Sequence, residues 1–241
     1  MKKVLSLLIN ISLLFSLTAC GNNATADMIE NTTLSSNVVS EKDLGSQGME
    51  QSERQQQTED SDMNNTTILV AYFSRTGENY NVGNIEKGNT HIVADMIAEQ
   101  TGGDTFEIST VTPYPDNYDE CTDIARQEQN ENAHPELAAF VENMGNYDTI
   151  FLGYPIWWSD VPMAVYTFLE SYDFSEKTII PFCTHEGSGL ASTESSIAAV
   201  CPDSKIMGGL SIRGSVAQKS QDEAQAAVTD WLEQVGFGEQ K

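Results

Sequence analysis

Ser74-Arg75-Thr76-Gly77 is a short hydroxylated turn that directly follows the apolar run Ile68 to Phe73. Further on, Asn89-Thr90 opens a helix-like pattern. A buried strand feeding a hydroxyl-rich turn and then a helix start is an arrangement that holds a phosphate. Backbone N–H groups and hydroxyls face the anion, and the helix N-terminus adds partial positive charge. Gly77 permits close backbone approach. No lysine lies in Ser74 to Gly77, which excludes a Walker-type nucleotide loop.

Two further loops carry residues with chemical potential. Gly153-Tyr154-Pro155-Ile156-Trp157-Trp158-Ser159 sets two indoles side by side after an apolar run. Such a pair either walls a flat apolar ligand or packs the rim of a core. Thr184-His185-Glu186-Gly187-Ser188-Gly189 sets a histidine beside glycines, as a donor to a ligand or as a solvated loop residue. His91 and His134 fall at expected helix starts and read as exposed. Cys121, Cys183 and Cys201 match no zinc spacing, and Cys183 reads as a small core residue with no redox role. No nucleophile–base pair points to hydrolysis.

These loops need a scaffold. Strand signals fall at about 67–73, 104–109, 148–153, 178–183 and 205–212. The runs at 148–153 and 178–183 are continuously apolar, as in strands covered on both faces. Pro181 removes a ladder donor and is expected near a strand end or edge. Helical signals alternate with the strands. Ile92, Val93, Met96 and Ile97 form a stripe, and further helices are expected at 135–141, 162–169 and 191–200. Ala224, Ala227, Val228, Trp231, Leu232 and Val235 mark a final helix in which Trp231 packs the core. Five strands alternating with helices predict an α/β, doubly wound parallel sheet. Such sheets bind ligands beyond the carboxyl ends of their strands, which selects the loops after strands 1, 3 and 4.

In that order, the three loops resemble those of the flavodoxin superfamily, and the resemblance covers nearly all of 67–241. It implies a flavodoxin-like five-stranded parallel sheet of order 2-1-3-4-5 with helices on both faces, and FMN as cofactor. Ser74, Arg75, Thr76 and Gly77 look like the flavin phosphate loop, completed by Asn89 and Thr90 at the helix start. Pro155, Ile156, Trp157 and Trp158 look like the aromatic loop, where either indole could stack and the backbone of Ile156 and Trp157 flanks the ring edge. Thr184, His185, Gly187, Ser188 and Gly189 look like the third loop, with the N–H groups of 187–189 and the His185 ring facing the flavin pyrimidine. In short flavodoxins the phosphate loop runs straight into its helix, whereas Glu78 to Gly88 intervenes here. The insertion brings Glu78 and Glu86 near the expected phosphate, and Tyr80 and Val82 could fold it over the site or against the domain.

The chain outside that domain reads differently. Residues 1–20 form a charged start, Lys2-Lys3, and an apolar stretch too short to span a bilayer, which needs about 20 residues. The stretch ends in Leu17-Thr18-Ala19-Cys20-Gly21, which resembles a bacterial lipoprotein cleavage box and implies lipidation of Cys20. Residues 21–66 are poor in aromatics and rich in Asn, Ser, Gln and acids. They read as a disordered tether with a reach of roughly 35 Å. Residues 67–241 hold 8 Lys and Arg against 27 Asp and Glu, a net −19. That charge argues against nucleic-acid binding and disfavours added negative charge on a cofactor. The expected function is a lipid-anchored FMN redox protein outside the cytoplasm, passing electrons with a partner protein or a small-molecule acceptor. An NAD(P)H-dependent quinone-type reductase and a non-redox surface protein that keeps the fold are the alternatives.

Overall fold

The computed structural model describes residues 67–238. The leader at 1–20, Cys20 and the tether at 21–66 lie outside the described residues. Strand β1 (Ile68–Phe73) is followed by a small hairpin of β2 (Gly77–Asn79) and β3 (Gly83–Ile85), then by helix α1 (Asn89–Thr101). Next come β4 (Asp104–Ile108), α2 (Tyr118–Glu131), β5 (Thr149–Pro155) and α3 (Met163–Glu170). The chain continues through β6 (Thr178–His185), α4 (Thr193–Val200), β7 (Lys205–Ile206), β8 (Leu210–Arg213), α5 (Gly214–Lys219) and α6 (Gln221–Gln234).

The main sheet is parallel, ordered β4-β1-β5-β6, with β7 and β8 sharing the fifth position beside β6. Counted by position this is the expected order 2-1-3-4-5. Alternation along β1 divides its side chains between two cores. Leu69, Ala71 and Phe73 face a layer containing Val165, Phe168 and Ile197. Val70 and Tyr72 face one containing Val93, Ile97, Val228 and Leu232. Trp231 packs edge-on against Phe151 at 5.6 Å and donates its indole N–H to the Gly208 carbonyl at 3.0 Å, which fits its expected core role. Cys121, Cys183 and Cys201 are free and buried. Burial pushes the Cys183 thiol up to about 12 and that of Cys201 to about 11, so both stay protonated and unreactive.

Four expectations need correction. Pro181 lies in the middle of β6, paired with Leu152 of the interior strand β5. It is tolerated because alternate residues of β6 face opposite neighbours. The Ile179 carbonyl accepts from Met207 on the β7 side, so Pro181 turns its missing donor toward the gap between β7 and β8. The segment 135–141 is not a helix. Val111 donates to the Glu136 carbonyl and Ala138 to that of Ser109, so the segment pairs beside the continuation of β4. His134 lies past the end of α2, whose C-cap is Asn132, and approaches Glu170 at 2.8 Å. His91 is half-buried, its ring 4.8 Å from that of Tyr72.

Helix α2 carries no apolar stripe, since only Cys121 and Ala125 are buried on it. Its one legible signal is a cap. Asn117 accepts from the Glu120 N–H at 3.0 Å, the Asn-x-x-Glu pattern of a helix start.

Candidate functional site

A cleft of about 390 Å³ opens at the carboxyl ends of β1, β5 and β6. Its floor is made by the three loops, and its outer wall by α2 and the hairpin. Of the residues singled out from sequence, Arg75, Asn89, Pro155, Ile156, Trp157, Trp158, Thr184 and His185 line it. Asn79, Tyr80, Tyr118, Cys121, Thr122, Ala125 and Glu186 join them. The wall from α2 had no sequence signal beyond the cap at Asn117.

The first loop is built around the start of α1. Ser74 Oγ accepts the His91 N–H at 3.1 Å and so caps the first turn from outside the helix. Gly88, the N-cap residue, is held to glycine because a Cβ would sit 2.7 Å from the Arg75 carbonyl oxygen as well as against Ser74 Oγ. The first turn of α1 holds no acid, so nothing there competes for an incoming anion. Asn89 Oδ1 is buried without a hydrogen-bond partner among the described residues. An orphaned acceptor of this kind costs about 1–3 kcal/mol and suits a ligand hydroxyl. Thr90 and Thr184 bond hydroxyl to hydroxyl at 2.8 Å, both buried, which ties α1 to the end of β6. Arg75 turns its guanidinium onto the carbonyls of Pro115, Asp116 and Glu78, where it shapes the loop from behind. Thr76 is exposed and Gly77 buried beside it.

The insertion is the β2–β3 hairpin, and it forms part of the cleft wall through Asn79 and Tyr80. Glu78 does not face the first loop. Its carboxylate accepts from Asn117 Nδ2 and the Tyr118 N–H, each at 3.1 Å, and so also caps α2. Tyr80 stacks near Tyr118, with ring centroids 6.1 Å apart. At the hairpin tip, Asn81 Nδ2 donates to Glu186 Oε2 at 3.2 Å, linking the insertion to the third loop.

The two indoles have different roles. Trp157 is half-buried and meets Phe73 and Tyr114 edge-on at 5.3 and 5.0 Å, which fixes it as a wedge in the wall. Trp158 is 45% exposed at the rim. It donates its indole N–H to the Thr122 carbonyl at 3.1 Å, and the Arg126 guanidinium lies 4.3 Å from its ring centre. The backbone donors expected to flank a ligand here are already paired. Ile156 N–H goes to the Thr184 carbonyl and Trp157 N–H to that of Asp160, each at 2.9 Å.

The third loop also departs from expectation. The N–H groups of Gly187 and Gly189 point at His185 Nδ1, at 2.9 and 3.1 Å. Ser188 is exposed and donates to the Gly189 carbonyl. Of the three N–H groups expected to face a ligand, those of Gly187 and Gly189 are therefore taken, and the ring offers its other nitrogen, His185 Nε2, as a donor to the cleft. Burial and the nearby Arg213 cation hold the ring below the usual histidine range, against a smaller opposing effect from Glu186. Among the described residues no group of three His, Cys, Asp or Glu could hold a metal ion. Nor is any described helix long and apolar enough to cross a membrane.

The site suits a flat ligand with polar substituents: aromatic walls, a hydroxyl acceptor, a helix start free of acids and an imidazole donor. Known proteins share the fold that carries this site. A candidate flavoprotein from Bacteroides eggerthii is 28% identical, with a TM-score of 0.58, over 71% of this chain and 98% of its own. One from Bacteroides uniformis is 26% identical, with a TM-score of 0.54, over 70% and 98%. A flavoprotein in complex with FMN from Lactobacillus acidophilus is 19% identical, with a TM-score of 0.49, over 67% and 99%. No curated protein matches the chain. The flavodoxin family model matches residues 67–235, and the chain belongs to the flavodoxin family.

Proposed function

We propose that this chain is an FMN-binding redox protein, exported and anchored through a lipid on Cys20 at the outer face of the bacterial membrane. In that place it passes electrons between a partner protein and a second acceptor. The observation that carries the FMN reading is the aromatic-walled cleft with the buried, unpartnered Asn89 Oδ1 beside the start of α1. FMN would supply one- and two-electron redox chemistry there. Asn89 accepts from a ribityl hydroxyl. The first turn of α1, with Ser74 and Thr76, takes the phosphate. His185 Nε2–H donates to a carbonyl of the ring, and Trp157 fixes the wall against which the ring lies. Trp158 and Tyr80 restrict water at the rim. The leader pattern and the acidic tether composition support export and anchoring, and a tether raises the effective concentration of the domain toward membrane-bound donors.

The test is titration of the purified protein with FMN, followed by visible absorption and flavin fluorescence, then reductive titration. The expected result is stoichiometric uptake with quenched fluorescence, weakened at least tenfold by Trp157→Ala. Absence of uptake at micromolar FMN overturns the reading and favours a non-redox protein that keeps the fold. Labelling of cells with a radioactive fatty acid checks the anchor, and Cys20→Ser should abolish incorporation.

A further inference from the structure

We propose that His185 is a positioning residue: its neutral ring, with the proton on Nε2, holds the third loop in place, and protonation of Nδ1 releases that loop and weakens binding in the cleft. Nδ1 has one lone pair in the ring plane, and it receives two backbone donors, from Gly187 at 2.9 Å and Gly189 at 3.1 Å. A nitrogen that accepts cannot carry the proton, so the neutral ring bears it on Nε2. The loop is shaped for this contact. Gly187 has φ +152°, which glycine alone adopts without strain, and Gly189 has φ +61°, the left-handed region that favours glycine.

The consequence of a second proton follows from the same geometry. A proton on Nδ1 would face two N–H groups, and either the ring or the loop must leave. Two hydrogen bonds are lost together. The next residue transmits the change. The Glu186 carboxylate accepts from the Ser215 N–H at 2.6 Å at the start of α5, from Ser215 Oγ at 3.1 Å, and from Asn81 at the hairpin tip. The third loop therefore joins the end of β6 to the start of α5 and to the hairpin that walls the cleft. The charged groups facing the ring are Arg213, its register partner on β8, and Glu186 beside it. The other titratable groups lining the cleft are Arg75, Tyr80, Tyr118 and Cys121. Burial and Arg213 depress the ring's affinity for a proton, so the loop is held at neutral pH and released below the usual histidine range.

The loop part of this inference stands without a ligand, and the binding part rests on the FMN reading. The first measurement is therefore made on the full protein without FMN. Long-range proton–nitrogen NMR should place the ring proton on Nε2 at pH 7.5. Amide exchange should show protected Gly187 and Gly189 at that pH, with protection factors that collapse as the ring protonates. His185→Asn offers an untitratable acceptor at the Nδ1 position and should keep protection at pH 7.5 and at the lower pH where the wild-type ring is protonated. His185→Phe should lose it at both. The second measurement is FMN affinity at pH 8 and at a pH below the ring's own titration, located by the same NMR experiment. The phosphate itself titrates near pH 6, so the readout is the difference from His185→Asn. Wild type should lose about tenfold more affinity than that variant, the loss expected from two backbone hydrogen bonds. A ring proton on Nδ1 at neutral pH, or glycine protection unchanged on ring protonation, overturns the inference. If FMN does not bind while the glycine amides behave as stated, the cofactor reading falls and the loop inference stands.

Discussion

Glu128 is a half-buried carboxylate on α2 with no salt bridge among the described residues, and its partner is the Tyr114 hydroxyl, which donates at 2.7 Å. Burial raises its pKa above the usual carboxylate range, and the Tyr114 bond opposes that only in part. A carboxyl whose folded pKa exceeds its unfolded value adds stability below the unfolded value. That contribution is lost as pH rises through the folded value. Glu128→Gln keeps an acceptor for Tyr114 and removes the charge. Urea denaturation should show the variant modestly more stable at pH 7, with no gain at pH 4. A gain of equal size at both pH values would mean that charge burial is not the cause. The pair matters because Tyr114 supports the edge of Trp157 in the cleft wall. Nothing in the sequence tied Glu128 to Tyr114, since the two are 14 residues apart across a turn and the start of α2.

At the scale of elements, the turn from Trp157 to Asp160 carries the clearest backbone strain. Trp157 and Asp160 exchange N–H to carbonyl bonds at 2.9 and 3.0 Å, and the two residues between them have φ of +49° and +67°. Such a two-residue turn favours Asn-Gly, yet here it is Trp158-Ser159. The strain holds Trp158 at the rim, where Thr122 and Arg126 secure its ring. Ser159→Gly should raise stability by roughly 0.5–1 kcal/mol in a thermal melt, with the near-ultraviolet signal of the indoles unchanged. A loss of stability would show that Ser159 does something other than occupy a strained position. Five strand positions and four of the helices were legible because their apolar residues form short continuous runs, alternate, or repeat at helical spacing. Helix α2 was not, because it lies on the cleft with most of its surface wet and shows no stripe. The hairpin was visible only as extra length, since its six strand residues include just one aliphatic side chain, Ile85.

At the scale of the whole molecule, the surplus of 19 negative charges over residues 67–241 opposes a dianionic ligand. Among the described residues, the Lys87–Asp95 ion pair and the contacts of His91 with Asp95 and His134 with Glu170 leave most acids without a cation. Repulsion between exposed charges is screened over about 10 Å at 0.1 M salt. FMN should therefore bind several-fold more tightly at 0.3 M than at 0.02 M sodium chloride, by fluorescence titration, while riboflavin, which lacks the phosphate, should show little change. Equal salt dependence for both would place the phosphate away from the protein field.

The sequence by itself determined the strand positions, the three loops that follow them and the core role of Trp231, because periodicity and loop position are local properties of a chain, whereas the sheet order was implied by the resemblance to the flavodoxin superfamily. It also carried the families of residues that meet in the cleft. Only the tertiary structure decided what each of those residues does there. Thr90 hydroxyl is taken by Thr184, Arg75 is turned onto carbonyls, and the glycine N–H groups of the third loop close on His185. Whether a donor is free for a ligand depends on which acceptors the fold brings within 3 Å, and those acceptors come from segments up to about a hundred residues away.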